Sequence, residues 1–308
     1  FYPVGATASH VVGLVDVDNR GLGGIEKFID NNPQLTMMNP QTESGGETVA
    51  VSLDVGAQHV LREELANAMK LYEAKAASGI VMDVHTGEVV ALASLPDFDP
   101  HRREQALDKN RINRVGFGVY ELGSVFKAIT VAGVLDSGLA NVNSVYDATS
   151  PIYFGRFSIS DFHGKRRPLT VTEDLIYSSN IASAKIAMYM GLPAHRAFLK
   201  KLGLLDPVVT ELGPSAAPIV PKHWKKLNTM TIAFGHGLSV TPLQLATATV
   251  PLVNGGYALP PTVLPRTRAA AMAEAPRVVS PETSAAMVEL MRENVLRGSG
   301  KRATAEGS

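Results

Sequence analysis

After Gly123 the apolar residues Phe126, Ile129, Val131, Val134 and Leu135 recur at helical spacing, which predicts a helix that starts at or beside Ser124. Upstream, residues 48–53 read as a strand, and the pattern that follows predicts a helix with Val60, Leu61, Leu65, Ala68, Met69 and Tyr72 turned inward. Two β-rich runs, 80–84 and 89–93, flank His85-Thr86-Gly87-Glu88 and predict an antiparallel hairpin with His85 on the surface of its turn. Residues 94–118 open with Pro96 and Pro100 and are dense in Arg and Asp; they read as a long charged loop that delivers the chain to Ser124.

Beyond that helix, residues 153–168 read as loop or short strand. Thr170 and Glu173 then have the spacing of a capping box, opening a short helix that ends at Tyr177. Ser178-Ser179-Asn180 interrupts the pattern, and a second helix runs from Ile181 until Gly191. A helix over 194–202 is stopped by Gly203, and two more are opened by Thr241-Pro242 and Ser280-Pro281. Residues 1–46 are rich in Gly, Asn and Asp, and 31–46 is polar and broken by Pro33 and Pro40, so a domain boundary is expected there. Helices outnumber strands, and no repeat is visible.

Composition narrows the classes. At 308 residues, with 45% hydrophobic and 19% charged residues, the chain can bury one large core, and disordered and fibrous classes drop out. A net charge of zero gives no reason to expect nucleic-acid binding, and Lys165-Arg166-Arg167 reads as a solvated turn. With no cysteine, disulfides, thiolate metal sites and cysteine nucleophiles are excluded together. No apolar run reaches membrane-spanning length, and the first residues are no signal peptide; any membrane anchor is expected upstream of Phe1.

The candidate chemistry lies in Ser124 and Lys127. Three residues apart at a helix start, they share a face, so the amine can fold back onto the hydroxyl and take its proton. Unpaired N–H groups at the same helix start lie where an oxyanion could sit. A Ser-x-x-Lys match carries little weight alone. A serine nucleophile served by lysine also needs a second hydroxyl to hand a proton to the leaving group, an orienting amide, and a cation that depresses the lysine pKa. Ser178 and Asn180, on a break between helices, can supply the first two, although Ser178-Ser179-Asn180 can also simply cap the helix that follows.

A Ser-x-x-Lys at a helix start followed some fifty residues on by Ser-x-Asn at a helix break resembles the class B penicillin-binding proteins, the peptidoglycan D,D-transpeptidases, and among them the division-specific type. The likeness extends over nearly the whole chain, including Gly24-Ile25-Glu26-Lys27 with Asp30, Val51-Ser52-Leu53-Asp54 with Gln58, Thr86 to Ala91, Asn113-Arg114, Leu169-Thr170-Val171 and Gly237 to Ala246. It implies an α/β penicillin-binding transpeptidase fold, an antiparallel sheet flanked by helices, over residues 47–308, with 1–46 as the C-terminal end of a non-catalytic pedestal domain. It further implies Ser124 as the acylated nucleophile, Lys127 as general base, Ser178 as the proton relay to the departing D-alanine, and Asn180 as the amide that binds Lys127 and the substrate. Half of the oxyanion hole would come from the Ser124 N–H.

The implied partners are stem peptides ending in D-Ala-D-Ala, β-lactam antibiotics, a septal glycosyltransferase and other divisome proteins, with no nucleic acid, metal or cofactor. The implied location is the periplasmic side of a bacterial inner membrane, on a single anchor. The chain departs from the pattern in lacking the third motif, Lys-Thr-Gly or Lys-Ser-Gly, which is expected on a strand beyond Ser308. Leu122 stands where Pro or Met is usual, and Val125 where Thr is common. The alternatives weighed are a β-lactam sensor or non-catalytic divisome component of the same fold, and a D,D-carboxypeptidase or β-lactamase; for the last, Glu211 is the nearest candidate to hold the hydrolytic water. Trp224 reads as an anchored surface aromatic, His236 as structural, and Met188, Met190, Met287 and Met291 as core.

Overall fold

The structure, a computed structural model, describes residues 2–32, 48–273 and 275–305. In chain order the helices are α1 (Ser9–Val12), α2 (Gly24–Asp30), α3 (Val55–Leu71), α4 (Arg114–Phe117), α5 (Phe126–Asp136), α6 (Val171–Tyr177), α7 (Asn180–Met190), α8 (Leu192–Lys201), α9 (Lys226–Ile232), α10 (Pro242–Thr249), α11 (Arg268–Ala273) and α12 (Pro281–Arg297). Among the described residues the strands form five antiparallel pairs: β1 (Leu14–Val15) with β2 (Gly21–Gly23), β3 (Ala77–Met82) with β4 (Val89–Leu95), β5 (Val145–Asp147) with β8 (Pro168–Thr170), β6 (Ile152–Phe154) with β7 (Phe157–Ile159), and β9 (Val209–Thr210) with β10 (Gly213–Pro214).

The expected hairpin is β3–β4, in register at Ala77↔Leu95 and Ile80↔Leu92. Every residue of β4 except Val90 is buried, so this strand is the floor on which the N-terminal half packs. Its outer edge is covered without a further strand. The Gln58 amide donates to Leu92 O at 2.8 Å and accepts Leu92 N at 2.8 Å, as a neighbouring strand would. Asp54 N donates to Val90 O at 3.0 Å, and Val89 N to Thr262 O at 2.8 Å. Among the described residues, no backbone group of β3 bonds outside the hairpin, so its far edge is bare.

Two expectations are corrected here. Residues 48–53 do not form a strand: Ser52 spends its N–H on Val263 O and its hydroxyl on Val89 O, both at 2.8 Å, and makes no ladder. On α3 the fully buried residue is Gln58; of the residues expected inward, Leu61, Leu65, Ala68 and Met69 are half-buried, while Val60, and Tyr72 just past the helix, are exposed. The need to pair the edge of β4 puts the Gln58 amide, and not Val60, at the deepest position of that helix. Residues 94–118, expected as loop, also hold α4, whose first N–H groups are capped by Asn113.

The capping signals are met where the sequence placed them. Thr170 and Glu173 form a reciprocal capping box on α6, Thr241 and Gln244 another on α10, and Ser280 accepts from Thr283 N at the start of α12. The main core gathers around α5: Phe126, Ile129 and Val131 pack with Ile186 and Met190 of α7, Phe198 and Leu199 of α8, and Met287 and Leu290 of α12. Burying Phe126 alone stabilises the fold by about 2–3 kcal/mol. A second cluster joins Val11 and Ile25 to Val89, Leu92, Val115, Leu243 and Val263, so residues before 32 rest on the floor strand. The boundary expected at 46/47 lies outside the described residues.

Candidate active site

The turn that carries Ser124 is held from two sides. Tyr120 and Val240 exchange backbone hydrogen bonds at 2.9 and 3.0 Å, and Gly123 N donates to Gly235 O at 3.2 Å. The approach is so close that a Cβ on Gly235, whose φ is +82°, would lie 2.0 Å from Gly123 O; only glycine fits. The Glu121 carboxylate adds a third tie, accepting Gly237 N at 2.8 Å and pairing with His236 Nδ1 at 2.6 Å. His236 is therefore a brace for the turn, as its expected structural role implied. Ser124 lies in a 3₁₀ turn over Gly123–Val125 that leads into α5, and its N–H is among the helix-start donors with no partner due inside the helix.

Ser124 is exposed whereas Lys127, one turn on, is only 1% exposed. The Lys127 ammonium has three N–H bonds and three acceptors: Ser124 Oγ at 3.1 Å, Ser178 O at 2.6 Å and Ser178 Oγ at 2.8 Å. All three acceptors are neutral. Burial therefore pushes the amine down, to about 8, with the Asp174 and then the Asp161 carboxylate pulling it back up. Desolvation is the largest cause of this depression.

Ser178 faces Lys127 twice because of its backbone. It ends α6 in the left-handed region, φ 55° and ψ 51°, which costs a non-glycine residue about 1 kcal/mol or more and turns both its carbonyl and its hydroxyl to the amine. Ser179 caps α7, accepting Ala182 N at 3.0 Å and donating to Asp161 at 2.8 Å. Asn180 departs from the expectation: its amide donates to Ser160 O at 3.0 Å and is not one of the Lys127 partners. The reason is geometric. With Ser179 as the N-cap, Asn180 is the first residue of α7 and is directed to the loop between β7 and β8. Ser124, Lys127 and Ser178 are thus brought together, and Asn180 stands beside them.

Ser124 and Ser178 line a groove of about 850 Å³ walled by Ile80 and Met82 of β3, Leu245 of α10 and Met291 of α12. Glu211 is no part of it: its carboxylate is held by Thr262 Oγ1 at 2.7 Å and Val263 N at 2.9 Å. Trp224 is half-buried against the main core and donates to Thr229 at 3.1 Å, the anchored role expected of it. Among the described residues no cluster of His, Asp and Glu is arranged to hold a metal. Two contributors escaped the sequence reading. The Ser178 carbonyl could not be seen, because a left-handed serine has no sequence signature. Asp174 could have been, since it falls at the buried spacing of Val171 and Leu175 on α6.

Residues 77–307 match the family of the penicillin-binding protein transpeptidase domain. The chain belongs to that family. It is 39% identical to the probable peptidoglycan D,D-transpeptidase FtsI of Caulobacter vibrioides, an alignment covering 97% of this chain and 50% of the relative. The penicillin-binding protein 3 of Mycobacterium tuberculosis in its apo form superposes with a TM-score of 0.86 at 27% identity, over 100% of this chain and 73% of that one. The same protein complexed with aztreonam gives 0.86 and 27%, over 99% and 72%. The chain spans about half the length of the curated relatives it matches. The penicillin-binding transpeptidase fold expected from the sequence is borne out, with helices packed around the β3–β4 hairpin.

Proposed function

We propose that this chain carries the acylating centre of a peptidoglycan D,D-transpeptidase of the division-specific type. The observation that supports it most is the single amine of Lys127 bonded to two serine hydroxyls, Ser124 at 3.1 Å and Ser178 at 2.8 Å. In this reading Ser124 Oγ attacks the carbonyl between the two D-alanines of a stem peptide, and its proton passes to the neutral amine of Lys127. With that amine near pKa 8, about one molecule in ten holds it neutral at pH 7. The Ser124 N–H faces the developing oxyanion. Lys127 returns the proton through the Ser178 hydroxyl to the departing D-alanine nitrogen, leaving an ester on Ser124. An amine of a second stem peptide then attacks that ester, its proton returns by the same path, and the cross-link forms with Ser124 restored. Asn180, beside Ser178, holds the substrate amide.

β-Lactams acylate the same serine, since their strained amide enters the same groove. The protein works at the cell envelope, from an anchor in the inner membrane with this part in the periplasm, beside a septal glycosyltransferase and other divisome proteins. Among the described residues no helix is long and apolar enough to cross a membrane. Residues 1–46 are read as the end of a pedestal domain and 47–308 as transpeptidase domain. The test is to give the full-length protein a peptide ending in D-Ala-D-Ala with an amine acceptor, and to follow D-alanine and peptide products by mass spectrometry. D-Alanine released with a matching amount of new amide is expected. Release with hydrolysed peptide alone would mark a carboxypeptidase, and no release would contradict the reading.

A further inference from the structure

Asp174 is a carboxyl group with no exposed surface, and the reaction as described does not use it. It lies on α6, one turn before Ser178. Its own carbonyl accepts the N–H of Ser178 and that of Ser179, the second at 3.1 Å, so it closes the turn that aims Ser178 at Lys127. Its carboxylate oxygens stand 3.0 and 2.9 Å from the Ser183 hydroxyl of α7. Ser183, through its hydroxyl and its backbone N–H, is the hydrogen-bond donor that steadies this buried carboxylate, and among the described residues no Lys, Arg or His forms an ion pair with it. Such a group is costly to the fold unless hydrogen bonds and an opposite charge nearby offset its burial. Of the charged groups that act on Lys127, Asp174 acts most strongly.

We propose that Asp174 is a positioning residue for the general base: held behind the Ser178 turn by Ser183, its charge binds the Lys127 proton electrostatically and sets the pH at which Ser124 is activated. The proposal rests on the reading of Ser124 and Lys127 as nucleophile and base. Burial alone would leave Lys127 a weak base, and the field of Asp174 restores part of its basicity, which a proton acceptor working near neutrality needs. Asp174 is itself pushed up by burial, against the pull of the Ser183 hydroxyl and of Lys127. Asp174 and Lys127 titrate as a pair.

The groups that face this pair are few. Among the described residues the charges that act on Lys127 of α5 are those of Asp174 on α6 and Asp161 in the β7–β8 loop, and none on α7, α8 or α12 adds to them. Asp174 in turn meets Lys127, Asp161 and, from β5, Tyr146.

The experiment is the rate of acylation of the full-length protein by a simple penicillin from about pH 5 to about pH 10, for the unsubstituted protein, Asp174→Asn and Ser183→Ala, with thermal midpoints measured beside it. Asp174→Asn keeps an acceptor for Ser183 and removes the charge. The acid limb of the profile is expected to move to lower pH by on the order of one unit, because Lys127 loses its proton more readily. The plateau is expected to fall severalfold, because the amine is then a weaker base. Ser183→Ala strips the carboxylate of its hydroxyl, favours its neutral form, and shifts the limb the same way by less. A merely structural Asp174 would lower the rate equally at every pH. An unmoved limb in both variants overturns the proposal, and if Asp174→Asn does not fold, Ser183→Ala decides alone. An unsubstituted protein that is not acylated overturns the Ser124 reading and takes this proposal with it.

Discussion

Lys127 and His195 are two bases buried on helices that pack together, α5 and α8, and burial pushes both down, to about 8 and about 4. Their surroundings differ. Lys127 spends all three N–H bonds on serine oxygens and lies in the field of two carboxylates. Neither ring nitrogen of His195 has a partner among the described residues, and desolvation is all that acts on it. Burial alone makes a group neutral and inert. Burial with oriented acceptors and a remote opposite charge makes it neutral enough to accept a proton while still basic enough to hold one. The contrast explains why a depressed pKa marks a site in one region and only packing in the other.

The comparison can be broken at several points. Lys127→Ala removes the proposed proton acceptor, and β-lactam acylation is expected to fall about a thousandfold in a stopped-flow assay, with the fold kept as judged by circular dichroism. His195→Ala is expected to leave the acylation profile unmoved, and a shift there would end the distinction drawn above.

The acid stability of the native protein sharpens the same contrast. The folded-state pKa of His195 lies below its unfolded value near 6.5, so the unfolded chain binds the extra proton first. Its contribution is present in full above pH 6.5 and is lost as pH falls toward 4, by about 3 kcal/mol, from roughly 2.5 units at 1.36 kcal/mol each. Urea unfolding at a series of pH values checks this. His195→Leu should flatten the curve over that window, and an unchanged slope would show that another group is responsible.

A smaller effect is expected at the Ser178 turn. Ser178→Ala removes the proposed relay hydroxyl but keeps the carbonyl that accepts from Lys127, so acylation should drop by roughly a hundredfold with the acid limb still in place. Ser178→Gly relieves the left-handed strain while removing the same hydroxyl. It should lose the same activity, with a thermal midpoint at least that of the alanine variant.

Much of this arrangement was legible in the sequence. Thr170, Glu173, Thr241, Gln244 and Ser280 act where capping chemistry puts them, because those bonds are local. The Ser124–Lys127 contact is local too, one helical turn. What could not be read depends on chain far away. The inward turn of Gln58 answers an open strand edge at Leu92, and Gly235 is required by the carbonyl of Gly123. The turn of Asn180 to Ser160 follows from which serine became the cap of α7. The desolvation that depresses Lys127 is not local either, since it comes from the packing of α6, α7 and α12 around α5.

The most direct test of the account is the intact mass of the full-length protein after incubation with a simple penicillin, with Ser124→Ala beside it and the modified peptide mapped. The account predicts a gain of one penicillin mass, located on Ser124 and absent from Ser124→Ala. A gain that survives in Ser124→Ala, or no gain in a folded unsubstituted protein, would contradict it.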